Sequence, residues 1–423
     1  MLASTFLKSK KITSEQLFML SVLLVNGGNY FYNLILGRLL GPSQFADAAV
    51  LVTFLLVLSF LAMTFQLVTT KFSALLEYFD LSKFINSIFK LSVITGIIIG
   101  AIIIALSKWL QQSLQTQNSM MFVIFGTAVP VYFILSVNRG FLQGNNQFKP
   151  LSITYQLEMV TRLVLTVSFL LFIPKLEPII SVSIGIVISL IAGFFPFKLT
   201  PFIERMSIKS SLILSRPVKH FFIVTLFYEL TQIIINNSDI LLVKHFFNSY
   251  DAGLYASLAL IGRVVYFMAW MFVMLLLPKV IELKKNNKNT TQILSKYVSY
   301  ITLLCMVIVI GTILLPETIV SLLFGDEYLE IAPLLWKYAV ATSLFAIANI
   351  FSYYFLSLGN YIPVIISGIM GMMQVAMIYW FHDSLHTVVL VQIIAMVVLL
   401  TGQVLYFYQS KTDQNHSSTP TGI

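Results

Sequence analysis

The sequence predicts an all-α polytopic membrane protein of about twelve transmembrane helices, arranged as two pseudo-symmetric six-helix bundles. Three observations predict it. Of the 423 residues 58% are hydrophobic and only 10% charged, whereas a soluble domain carries about 25% charged residues. The apolar runs are continuous and about 20 residues long, which is the length of a membrane-crossing helix, and the alternation of barrel strands is missing. The third observation is an internal echo. Sliding 29–54 onto 236–267 puts Asn29 on Asn236, Arg38 beside Lys244, and Phe45-Ala46-Asp47-Ala48-Ala49 on Ala252-Gly253-Leu254-Tyr255-Ala256. A chain that repeats one hairpin in this way reads as two copies of a module.

Taken in order, residues 1–15 form a short basic start with Lys8, Lys10 and Lys11. No Ala-x-Ala cleavage site follows, so an uncleaved cytoplasmic N-terminus is expected. Spans are expected near 16–36, 44–70, 84–106, 119–142, 151–173 and 177–198, which make up an N-terminal lobe over 1–198. A second set near 219–245, 254–281, 296–316, 331–356, 361–381 and 386–409 makes a C-terminal lobe over 219–410. The linker 199–218 carries Phe202, Met206 and Ile208 with Arg205 and Lys209; an interfacial amphipathic helix and an unstructured basic loop both fit it. The tail 411–423 is polar and is expected to be disordered.

Lysine and arginine placement sets the orientation. Nineteen of the 26 fall in segments on the N-terminal side of the membrane and five (Arg38, Lys108, Lys175, Lys244, Lys337) on the other. That bias puts both termini in the cytoplasm. It also accounts for most of the +9 net charge, so the basic balance carries no message about nucleic acid, and none is expected as a partner.

A second echo supports the duplication. Arg139-Gly140-Phe141-Leu142-Gln143-Gly144-Asn145 is similar to Tyr354-Phe355-Leu356-Ser357-Leu358-Gly359-Asn360, and each is followed by a proline, Pro150 or Pro363. Both place a Gly-Asn turn between spans four and five of a half. With six spans per half, the two copies share one orientation, related by an axis along the membrane normal. A V-shaped central cavity between 1–198 and 219–410 follows as an expectation.

Several chemistries have no carrier in the sequence. Metal-ligand spacings, phosphate-cradling glycine loops and nucleophile elbows are missing, so neither an enzyme nor a cofactor protein is expected. Cys305, the single cysteine, rules out an internal disulfide and reads as a small hydrophobe. His382 and His386 flank Asp383 in an outer loop and read as surface residues rather than a metal site.

Three motifs carry a family resemblance. They are Leu36-Gly37-Arg38-Leu39-Leu40-Gly41-Pro42-Ser43-Gln44-Phe45-Ala46, then Asn237-Ser238-Asp239-Ile240-Leu241-Leu242 leading into Ala252-Gly253-Leu254-Tyr255-Ala256, and Leu322-Leu323-Phe324-Gly325-Asp326-Glu327-Tyr328 just after Pro316. Together and in this order they resemble the Wzx-type polysaccharide-exporter branch of the multidrug/oligosaccharidyl-lipid/polysaccharide (MOP) superfamily. Ala46 departs from the glycine usual in that branch, and no extra helix pair follows span twelve. The resemblance implies a MATE-like fold and a flippase for an undecaprenyl-diphosphate-linked oligosaccharide, such as an O-antigen, capsule or exopolysaccharide repeat unit. It also implies a monomer in the inner membrane, with lipids around it and a polysaccharide polymerase and glycosyltransferases as partners.

The residues are compatible with such a cargo. Its diphosphate and sugars need a polar path, and the spans supply cations and amides at several depths: Arg38, Arg139, Arg162, Lys244 and Arg263, with Asn29, Asn33 and Asn236. These are the expected substrate-binding residues, because a guanidinium gives a diphosphate bidentate, charge-assisted bonds. Each also has a plainer reading. Glu158 and Arg162, four apart in the favourable order, suit an ion pair on one helix. Asp239 suits either cation coupling, hinted at by sodium-coupled relatives, or a structural bridge to Arg263. Arg38 and Lys244 can snorkel to the interface, and Arg139 can belong to the positive-inside signal. A cation-coupled multidrug exporter is the alternative function. It calls for buried carboxylates, and the spans hold only Asp47, Glu158, Glu229 and Asp239.

Overall fold

The computed structural model describes residues 14–199, 215–286 and 288–417. The linker residues Phe202 to Lys209, read as an amphipathic helix or a basic loop, lie outside the described residues, as do the N-terminal lysines. Among the described residues the chain is all-α, with thirteen α-helices and one 3₁₀ segment and no strand. In order they are α1 (Ser14–Leu75), α2 (Tyr78–Ala105), α3 (Ser107–Ser113), α4 (Met120–Gly144), α5 (Phe148–Phe172), α6 (Pro178–Ala192), α7 (Arg216–Phe246), α8 (Ser249–Lys285), α9 (Thr291–Leu314), α10 (Pro316–Leu323), the 3₁₀ segment Asp326–Leu334, α11 (Leu335–Ser357), α12 (Ile362–Trp380) and α13 (Leu385–Ser417).

Among the described residues nine helical segments are long and apolar enough to cross a membrane, and one of these, Leu17–Leu75, has length for two crossings. Pro178–Ala192 is a shorter apolar helix. With α8 the expected twelve spans are all represented. Their outward faces confirm the solvent: α9 leaves Leu303, Met306, Val307, Ile310 and Leu314 exposed, and α2 leaves Ile97, Ile98 and Ile102. Faces this apolar have no place against water.

Spans one and two are joined by a kink rather than a loop. Gly41 has φ 66 and ψ 171 inside α1, and Pro42 follows it. Proline cannot donate to the preceding turn, so the ladder breaks there, and the left-handed φ at Gly41 suits only a residue without a β-carbon. The Gly-Asn echoes lie at the turns from α4 to α5 and from α11 to α12. The positive φ sits on Asn146 in the first and on Gly359 in the second. The last helix continues to Ser417, into the stretch expected as a disordered tail.

The helices form two compact units. One comprises the described residues of Met1–Tyr32, Leu61–Trp109 and Asn118–Leu226; the other comprises those of Asn33–Phe60, Leu110–Gln117 and Phe227–Ile423. The kinked part of α1 and residues 110–117, which comprise the end of α3 and the turn after it, therefore fold with the second half of the chain. In the first unit, aromatic rings interlock between helices: Phe65 meets Phe133 edge-on at 5.2 Å and Phe222 at 5.1 Å. In the second, α11 is the central element. Ala346, Ile350, Phe351 and Phe355 pack with Val265 of α8 and with Ile301 and Cys305 of α9, and Cys305 is buried there as a free thiol. Lipid is as apolar as these side chains, so close packing and polar contacts hold the helices together.

The tightest contact in the second unit is between the start of α8 and the α1 kink. A β-carbon on Gly253 would lie 1.8 Å from the Pro42 carbonyl oxygen. Gly27, also helical, has nothing within 4 Å of its would-be β-carbon. Both positions gain helix propensity from alanine, about 1 kcal/mol, so sterics alone separate them. Gly253→Ala is expected to lower the thermal midpoint in detergent by the equivalent of about 1–3 kcal/mol or more, and Gly27→Ala to leave it unchanged or raised.

Candidate functional site

Ionisable side chains inside membrane spans are costly and usually mark function or a partner. The described residues hold three clusters of them. In the first unit Glu158 of α5 lies between two arginines. Its Oε2 accepts from Arg139 at 2.7 Å and its Oε1 from Arg162 at 2.8 Å, with all three side chains buried. Arg139, on α4, also donates through Nε to Thr154 Oγ1 at 3.1 Å and through a terminal nitrogen to the Thr154 carbonyl. Its guanidinium lies 3.9 Å over the Tyr155 ring, a favourable cation–π distance. The Tyr155 hydroxyl bonds Gln66 Oε1 at 3.0 Å, and Gln66 donates to Gln143 at 2.9 Å.

The Glu158–Arg162 pair expected from the i,i+4 spacing is thus present, and Arg139 joins it across helices. Two guanidiniums share one carboxylate, which leaves one positive charge in excess. Arg162 Nε is buried without a hydrogen-bond partner among the described residues. The cluster has a donor left over.

The second cluster surrounds Asp239 of α7. Its Oδ2 accepts from the Tyr338 hydroxyl at 2.8 Å, the Gln392 amide at 3.0 Å and the Tyr255 hydroxyl at 3.1 Å. Its Oδ1 faces Arg263 at 3.4 Å. Arg263 also donates to the Asn236 carbonyl. Arg263 is therefore buried in a bridge to Asp239, an arrangement that supports the structural reading of this arginine over direct substrate contact. A small cavity of about 30 Å³ adjoins the pair, lined among others by Asn236, Thr342, Gln374 and Gln392. A water molecule needs about 10–15 Å³ measured this way. The space suits a water or two and is far too small for a sugar.

The third cluster sits at the lysine-poor end. Arg38 does not point at free space: Nε donates to the Leu323 carbonyl at 3.0 Å, and a terminal nitrogen to those of Ser321 and Leu322. These are acceptors at the C-terminus of α10, of which the Ser321 carbonyl also takes the Gly325 N–H at 3.0 Å, and a cation there favours the helix dipole. Lys244, at the end of α7, forms a buried ion pair with Asp47 of α1 at 2.9 Å. Asn236 donates to the Gln232 carbonyl within its own helix, and Asn29 and Asn33 are half-buried on α1. His382 stacks on Phe246 at 3.8 Å, and His386 accepts from Lys337. No group of three or more His, Cys, Asp or Glu suited to a metal occurs among the described residues.

Sequence reading missed Tyr155, Gln66 and Thr154 around Arg139, and Tyr255, Tyr338, Gln392 and Gln374 around Asp239. The signal was available for the amides. A glutamine in the middle of an otherwise apolar span, as Gln392 is in α13, needs a buried partner.

A polytopic helical membrane protein with paired buried charges in each unit defines a class, and comparison of the whole fold identifies it. The chain matches a lipid II flippase, MurJ, in an inward closed conformation (TM-score 0.74, 15% identity, 93% of this chain and 87% of that one). It also matches an inward-facing multidrug resistance MATE family transporter of the MOP superfamily (TM-score 0.71, 13% identity, 90% and 95%). A third match is a MOP superfamily transporter from Pyrococcus furiosus (TM-score 0.55, 13% identity, 94% of each chain). The fold is that of the MOP superfamily. Residues 35–333 match the family model described as polysaccharide biosynthesis protein, and the chain belongs to that family. By sequence, no curated protein matches it significantly.

Removing one member of a buried pair leaves the other uncompensated, at a cost of about 3–5 kcal/mol, whereas replacing both can be neutral. Asp239→Ala is therefore expected to lower the thermal midpoint strongly, and Asp239→Ala with Arg263→Met to recover most of the loss. Thermal unfolding of the purified variants checks this; equal losses in the single and double variants would mean the pair is not coupled.

Proposed function

We propose that this protein flips an undecaprenyl-diphosphate-linked oligosaccharide from the cytoplasmic to the outer leaflet of the inner membrane by alternating access. Membership of the polysaccharide biosynthesis family supports the cargo class. The observation that carries the reading is the charge excess around Glu158. Among the described buried ion pairs, Asp47–Lys244 and Asp239–Arg263 are neutral, while Arg139–Glu158–Arg162 retains one positive charge and an unpartnered Arg162 Nε. A diphosphate is the complementary ligand, with oxygens for both the charge and the free donor.

The alternative, a cation-coupled multidrug exporter, needs a carboxylate free to meet an organic cation. Three of the four intramembrane acids are already paired. Glu229 of α7 favours that alternative: it is buried, and no hydrogen bond or ion pair to it occurs among the described residues. It is one such carboxyl, set against the cationic excess around Glu158, which repels an organic cation.

The driving force follows from charge. A diphosphate carries about two negative charges, and each is worth about 2.3 kcal/mol per 100 mV. An inside-negative potential thus favours outward movement by on the order of 4–5 kcal/mol at 100 mV when the charge crosses the whole field. Asp239 has donors on both oxygens already, so sodium or proton coupling through it is secondary.

Arg162→Ala provides the test, because Glu158 keeps Arg139 and no charge is left unpaired. Loss of charge-assisted bonds worth about 1.5–3 kcal/mol each should slow flipping roughly tenfold or more, with Arg162→Lys intermediate because the fork is lost. Flipping in reconstituted vesicles loaded with lipid-linked oligosaccharide, at matched protein level, reads the effect. Normal flipping by Arg162→Ala would remove this site from the cargo path. In the same vesicles a potassium–valinomycin potential should change the rate; a rate that ignores it and follows a sodium or proton gradient would reverse the energetic assignment.

A further inference from the structure

Residues 110–117 belong to the second unit, although the chain on either side of them, Leu61–Trp109 and Asn118–Leu226, belongs to the first. This short excursion is fastened at several points between 113 and 117. His245 Nδ1 bonds the Ser113 carbonyl and approaches Ser113 Oγ at 3.3 Å. Gln115 donates its side-chain amide to the His245 carbonyl at 2.9 Å, and its own carbonyl accepts from Lys244 at 3.2 Å. The Gln117 backbone N–H donates to Asp47 Oδ2 at 2.9 Å. The stretch thereby ties α1, which carries Asp47, to the end of α7, which carries Lys244 and His245.

At the centre of these ties is the Asp47–Lys244 pair, each side chain no more than 2% exposed. The ammonium lies 2.9 Å from Asp47 Oδ1 as a charge contact, while its directed hydrogen bonds go to Gln115 and, at 2.8 Å, to Ser249 Oγ of α8. Four chain segments meet on one buried lysine. Around it the same end is closed by the Gly253–Pro42 contact, by Arg38 on the α10 carbonyls and by the Tyr328 hydroxyl on the Gly37 carbonyl at 2.8 Å.

We propose that 113–117 is a strap, with the Asp47–Lys244 pair as its latch, that holds the lysine-poor end of the second unit shut and must detach for that end to open. The physical basis is the different standing of the pair when dry and when wet. Inside a dry contact neither charge can stay without the other. Once water enters, each is hydrated separately and the pair is worth little. The contact therefore has two discrete states, shut and dry or parted and wet, as a bistable element requires. Gln115, with φ 48, closes the end of α3 as a left-handed cap, with the Thr116 N–H donating to the Gln111 carbonyl at 3.0 Å, so the strap leaves the helix in a defined direction. The proposal concerns this contact alone and does not depend on which cargo is carried.

Thr116 provides a silent reporter. It is buried within the strap and its hydroxyl has no hydrogen-bond partner among the described residues, so Thr116→Cys removes no side-chain bond. Native Cys305, buried in the core of α9, α8 and α11, is the internal control for unfolding. With a membrane-impermeant maleimide and mass analysis, the thiol introduced by Thr116→Cys should label slowly, without substrate present. Asp47→Asn or Lys244→Met added singly should speed labelling at position 116 about tenfold or more, with Cys305 still protected. Combining both should bring the rate well below the product of the single effects, since no unpaired charge remains. Gln115→Gly, which removes the side-chain tie but relieves the backbone, should also speed it. It serves where the charge variants fail to fold. Labelling unchanged in all of these variants, multiplicative effects of the two charge substitutions, or labelling of Cys305 in step with position 116 would each overturn the latch.

Discussion

The mutual neutralisation of buried charge is the interaction on which the rest of this structure depends. A membrane core offers neither water nor counter-ions, so an ionised group inside it must bring its partner within the protein. Asp47, Glu158, Asp239, Arg139, Arg162, Lys244 and Arg263 all do so, at 2.7 to 3.4 Å. The pairs are also where the helices of each unit are held in register. Arg139 links α4 to α5, Arg263 links α8 to α7, and Lys244 links α7 to α1. In lipid, where apolar burial gives helices little reason to associate, such contacts decide which helix lies beside which.

The same constraint governs the backbone. Several breaks among the described spans have an acceptor or donor assigned to them. The α10 carbonyls are capped by Arg38, and the carbonyl of Gly37 near the α1 kink by Tyr328 at 2.8 Å. Non-helical backbone at membrane depth is tolerated only where such partners surround it. This explains a recurring combination here, in which a glycine or proline break lies close to a polar side chain such as Arg38 or Tyr328. The break creates the orphan groups and the polar side chain absorbs them.

The three clusters divide the work. Two contain charge-balanced pairs, Asp239–Arg263 beside a cavity of about 30 Å³ and Asp47–Lys244 at the strap. The third, around Glu158, is left positive. A protein proposed to move a diphosphate needs this division, since a chain of uniformly free cations would hold the anion instead of passing it on, and would be expensive to keep in lipid. Arg162 is the single described guanidinium of these clusters that retains a buried, unused donor.

The sequence by itself determined the class of protein, the positions of the spans to within a few residues, the two Gly-Asn turns and the Glu158–Arg162 pair. These are local quantities. Hydropathy accumulates along a segment, a turn is encoded in two or three residues, and the helical repeat brings i and i+4 together whatever the rest of the chain does. The junction of spans one and two, expected as a gap between 36 and 44, is also local in origin: Gly41 and Pro42 kink α1 there without ending it. Only the tertiary structure decided the remaining partners. Nothing local tells Arg139 that it will share Glu158, or Lys244 that Asp47 will arrive from the other end of the chain; a cation in a span reads the same whether it is destined for a carboxylate, a helix end or a cargo. Arg38 and Lys244 read alike as interface cations, and a bridge from Arg263 to Asp239 is one reading among others; helix packing gave the three different occupations. The physical reason is that in a low-dielectric layer the nearest opposite charge takes the cation, and which charge is nearest is a property of how the helices meet.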